Sequence, residues 1–79
     1  MKLAHDQHVD WPAVLMQLQG HGWTLVRIGA AIGTPEDRVR KWLQIFAQPR
    51  HDDGERLVAL WCAVMRAERD AVPVVSRFA

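Results

Sequence analysis

Four stretches of the chain place apolar residues at helical spacing, separated by short polar or glycine- and proline-containing breaks. In the first, Trp11, Val14, Leu15 and Leu18 recur at i, i+3, i+4 and i+7, the stripe of an amphipathic helix. Leu25, Ile28 and Ile32 form a narrower stripe in the second. Val39, Trp42, Leu43 and Phe46 repeat the full pattern in the third, and Leu57, Leu60, Trp61, Val64 and Met65 do so in the fourth.

The breaks carry boundary signals. Asp10 is placed to cap the first helix, with Val9 and Val14 as a hydrophobic staple and Pro12 tolerated in the first turn. Gly20 to Gly22 ends it. Thr24 is placed to cap the second helix, with Trp23 and Ile28 at staple spacing, and Gly33 follows where a helix terminus favours a left-handed residue. Thr34 and Pro35 supply a cap and a first-turn proline for the third, with Glu36 and Asp37 facing its positive end, and Pro49 closes it. The fourth is expected to start after Asp52, with Glu55 completing a capping box, and to run to about Arg69. Residues 1–8 lack periodicity and read as a flexible arm, and Val72 to Phe78, β-branched and broken by Pro73, as an edge strand or tail.

A chain of 79 residues supports one hydrophobic core, so the expectation is a single all-α domain of four or five helices, with its core at about 10–69 and a tail at 70–79. No apolar run reaches the roughly 20 residues of a membrane span. One cysteine, Cys62, rules out an internal disulfide and, without a segment resembling a signal peptide, points to a reducing cytoplasm. The net charge of +1 does not by itself announce nucleic-acid binding. Its distribution says more: Arg38, Arg40, Lys41, Arg50 and Arg56 cluster, while the nearby acids sit at helix starts where the backbone dipole accounts for them.

From Leu25 to Leu43 the chain resembles the helix-turn-helix of phage repressor and Cro-type (Xre-like) regulators. Ile28 and Ile32 match apolar positions of the first helix, Gly29 the small residue where the second helix crosses, and Gly33 the glycine of the turn. Val39 and Trp42 match the residues by which the second helix packs on the first. Two positions depart: Thr34 stands where the family usually has an apolar residue, and Leu25 where a polar residue able to reach phosphate is common. The resemblance implies a four- or five-helix domain that binds operator DNA as a dimer.

A recognition helix is held by its apolar face so that its polar face can enter the major groove. Arg40 and Lys41 are then the first candidates for guanine edges, Glu36 and Asp37 for cytosine N4, and Gln44 for a weaker contact further along. Arg38, Arg27 and Arg50 are better placed for phosphates. A solvated helix face is the competing explanation for Arg40 and Lys41, and dipole compensation for Glu36 and Asp37. His5 and His8 lack further metal ligands, Cys62 lacks a paired base, and no phosphate loop or nucleophile motif is present, so neither a metal, a cofactor nor enzyme activity is expected. The function expected is sequence-specific transcriptional regulation through double-stranded DNA, by a homodimer in the cytoplasm and away from membranes. The alternative is a helix-turn-helix used for protein interaction or as a phage DNA-packaging adaptor.

Overall fold

The computed structural model describes residues 7–76. Within them the chain forms a small all-α domain carrying a short C-terminal strand. Its elements are β1 (Gln7–Val9), α1 (Trp11–Gly20), α2 (Leu25–Ile32), α3 (Glu36–Gln44), α4 (His51–Met65), a single 3₁₀ turn (Arg69–Ala71) and β2 (Val74–Ser76).

Local chemistry sets the starts of the first two helices. Asp10 Oδ1 accepts from the amide of Ala13 at 3.1 Å, and Thr24 Oγ1 from that of Arg27 at 3.1 Å, so each cap satisfies a donor that the helix cannot. Gly33 ends α2 at φ +72, a conformation that costs a side-chain-bearing residue about 1–2 kcal/mol.

One contribution from each helix meets in the core. Val14, Leu15 and Leu18 come from α1, Ile28 and Ile32 from α2, Val39 and Trp42 from α3, and Leu57, Val58 and Trp61 from α4. Full burial of such side chains is worth roughly 1.5–3 kcal/mol each. Trp61 keeps its one polar atom satisfied by donating from Nε1 to Gln17 Oε1 at 2.9 Å. Trp11 is half-buried beside Gly54, where an added Cβ would stand 3.0 Å from the indole.

Several boundaries differ from the sequence expectation. Gln7 and His8 are not part of a flexible arm: with Val9 they pair antiparallel with β2, in the register Gln7 to Ser76, His8 to Val75 and Val9 to Val74. Residues 1–6 of the expected arm, including His5, lie outside the described residues, as do 77–79 of the tail. The core does not stop at 69, because Val72 is buried against it and Pro73 accepts a 2.8 Å hydrogen bond from the Asp10 amide. The last helix starts earlier and ends sooner than expected. Arg50 takes the cap position without a side-chain bond, Asp53 turns inward, and the helix stops at Met65 because Arg66 adopts φ +54. Glu55 does not complete a capping box; it accepts from Arg69 Nη2 at 2.7 Å.

Candidate nucleic-acid interface

The turn between α2 and α3 sets the position of α3. Gly29 is buried against this turn, and a Cβ built on it would collide with the Thr34 carbonyl oxygen. Absence of a side chain at residue 29 is therefore what lets the chain fold back so closely after Gly33. Val39 and Trp42 then fix α3 to the core by its apolar face.

Thr34 does not cap α3. Pro35 occupies the cap position, while the Thr34 hydroxyl donates to Asp53 Oδ1 on α4 at 3.2 Å. Both residues are buried, and this polar pair, not the cap expected of Thr34, satisfies its hydroxyl. Two arginines meet the same carboxylate. Arg56 Nη2 reaches Asp53 Oδ1 at 2.7 Å, and Arg38 Nη1 lies 3.7 Å from Oδ2. Arg56 also donates from Nε to the Ile32 carbonyl at 2.8 Å, satisfying one of the free acceptors at the end of α2.

The outward face of α3 brings together Asp37, Arg38, Arg40, Lys41 and Gln44, all exposed, with Glu36 half-buried at its start. Arg40 pairs with Glu36 one turn earlier through its Nη2, so two of the base-edge candidates hold each other. Lys41 and Gln44 reach solvent on the same helix. Arg27, at the start of α2, lies over the Trp23 ring with its guanidinium carbon 4.4 Å from the centroid, a stacking that fixes a long side chain. Arg50 is exposed ahead of α4. The expected phosphate residues thus divide: Arg38 sits on α3 beside Asp53, Arg27 at the α2 start, and Arg50 at the far end of the loop.

Arg56, counted in the basic cluster of the sequence, had no contact assigned to it there. The signal available was its spacing, i+3 from Asp53 on one helix, but the importance of that pair depends on Asp53 being buried. The apolar stripe expected along α3 also ends early: the helix stops at Gln44, so Phe46, expected to continue the stripe with Val39, Trp42 and Leu43, lies beyond it. Ile45 is 66% and Phe46 72% exposed, and Phe46 adopts a left-handed φ of +58. Beside Phe46 lies a pocket of about 330 Å³, bordered also by Val9, Trp11, Pro12 and Val75.

Among the described residues no helix is long and apolar enough to cross a membrane, and no group of three His, Cys, Asp or Glu side chains is arranged to hold a metal ion. Comparison with protein-family models, with curated proteins and with solved structures finds no match to this chain.

Proposed function

We propose that this domain is a sequence-specific DNA-binding regulator of the phage repressor type, acting in the cytoplasm and inserting α3 into the major groove. The observation that carries the reading is the two-sidedness of α3: Val39 and Trp42 are buried, while Arg40, Lys41 and Gln44 are exposed on the other side of a helix locked by a glycine-dependent turn. Arg40 and Lys41 would donate to guanine, and Glu36 and Asp37 would accept from cytosine N4. Arg27, Arg38 and Arg50 would meet phosphates.

The domain would act as a homodimer, since one short helix buries too little DNA surface for tight specific binding. The surface offered for self-association is Phe46 with Val75 and the adjoining pocket. A bulky residue held at positive φ with its side chain in solvent costs folding stability, which favours a role for that side chain in contact with another chain.

The test is binding of random and selected duplexes at two salt concentrations, by the native chain and by the Arg40→Ala, Lys41→Ala double variant. A dimer neutralising about six phosphates would give a log–log salt slope near −5. Salt-sensitive binding to a selected palindrome, lost in the double variant, supports the reading. No binding at low salt would refute it and favour the second one, a protein-interaction or phage-assembly adaptor. The exposed Ile45 and Phe46 are the observation that favours that alternative.

A further inference from the structure

At the junction of α2, α3 and α4, arginines from two helices converge on one carboxylate. The Asp53 side chain is 8% exposed, whereas those of Arg38 and Arg56 are 47% and 51% exposed. The carboxylate is already occupied by the Thr34 hydroxyl and Arg56, with Arg38 beyond hydrogen-bond length at 3.7 Å. Arg56 is held at two points, through Nε on Ile32 and Nη2 on Asp53, which leaves its Nη1 amino group without a partner among the described residues. Two guanidinium groups against one carboxylate leave one net positive charge, with open donors on both arginines.

Such a group is suited to an anion with several oxygens. Fixing an arginine before binding removes much of the side-chain entropy that a free surface arginine loses when it captures a ligand. Arg38 belongs to α3 itself, two residues from Arg40 and three from Lys41, so an anion held there would flank the groove that α3 enters.

We propose that Arg38 and Arg56 form a clamp for a backbone phosphate of duplex DNA, with Arg56 held in advance by Asp53 and Ile32 and Arg38 drawn beside it by the charge of Asp53; this rests on the DNA-binding reading above. Arg56 is then a phosphate contact supplied by α4, outside the helix-turn-helix segment. The clamp carries no base preference, because it meets only the phosphodiester.

The first test uses the native chain, following the side-chain Nε–Hε signals of Arg38, Arg56 and Arg40 by NMR as random-sequence duplex is added at low salt, and separately as inorganic phosphate is added. The proposal expects duplex to move Arg38 and Arg56, and inorganic phosphate at equal phosphate concentration to leave them in place. Movement with inorganic phosphate but not with duplex would overturn it in favour of a free-anion site. Duplex binding that moves Arg40 alone would overturn the clamp and leave the recognition-helix reading standing; no duplex binding would remove both.

The second test compares salt slopes. Arg56→Gln should lower the slope by about 0.9 per bound chain and weaken random and selected duplexes alike, by about tenfold at low salt. Arg56→Lys, which keeps the charge, should restore the slope. An unchanged slope in an Arg56→Gln chain that retains its helical circular dichroism would overturn the proposal. Should that variant unfold, the native-chain spectra decide.

Discussion

Gly29 and Thr34 approach so closely that the carbonyl oxygen of Thr34 occupies the space a Cβ on residue 29 would need. The oxygen belongs to the backbone of the turn, so relief requires α2 and α3 to move apart. Gly29→Ala should therefore destabilise the domain by about 2–3 kcal/mol despite the better helix propensity of alanine. Gly20→Ala, at an open position with nothing within 4 Å, should be neutral or slightly stabilising. Urea denaturation of both variants checks the pair, and equal midpoints would contradict the close approach.

The buried hydrogen bond from Thr34 to Asp53 links the turn to α4. Thr34→Val keeps the shape and removes the donor, leaving Asp53 with Arg56, and should cost about 1 kcal/mol. Asp53→Ala strands the hydroxyl and frees both arginines, and should cost more, about 2–4 kcal/mol. A double-mutant cycle between these positions should show coupling, and strict additivity would mean that the bond contributes nothing.

Glu36 ties down Arg40 within α3. Under the DNA-binding reading, Glu36→Gln should raise affinity for random duplex, because a negative charge near phosphate is lost, and should narrow the gap between selected and random sites. A lower affinity for random duplex would show that Glu36 positions Arg40 for binding instead.

Phe46 offers two opposed outcomes from one substitution. Phe46→Gly should relieve the left-handed backbone and stabilise the fold by about 1 kcal/mol. It should also weaken the proposed dimer, read as a lower sedimentation mass at micromolar concentration. Deleting Val72 to Ala79 is a poorer probe of self-association, because Val72 is a core residue and Pro73 bonds Asp10.

Glu55 sits where its neighbours favour the ionised carboxylate. The hydrogen bond from Arg69, joined by the charges of Arg69 and His51, holds its carboxyl below the ordinary glutamate value. A lowered folded-state value means a stabilising contribution that is present above the unfolded value and lost as pH falls through the folded one. At this fully exposed site the contribution is small. Arg69→Ala should raise the Glu55 titration midpoint toward the ordinary value in an NMR titration, and an unchanged midpoint would contradict the pairing.

The difference between what the sequence made legible and what it hid is one of range. Asp10 and Thr24 cap amides three residues away, and Gly33 terminates α2 through its own backbone, so those boundaries could be read from neighbouring letters. Thr34 looked like a third cap because the same local rule applies to it, but Asp53, 19 positions on, competes for its hydroxyl. Asp53 does lie in the first turn of α4, at a helix start as the charge pattern indicated, but its carboxylate is buried there. The strand at Gln7–Val9 is too short for an alternating pattern, and its existence depends on Val74–Ser76. At the candidate site, the face of α3 followed from periodicity, whereas the junction at Asp53 depends on three helices meeting.

The register of β1 and β2 sets how the domain would yield under tension. Because Gln7 faces Ser76 in an antiparallel pair, a pull applied to those two residues loads the ladder one rung at a time, in the manner of a zipper. The strands would part at low force. The bond from the Asp10 amide to Pro73 would take the load next, and the helical core would bear it only afterwards.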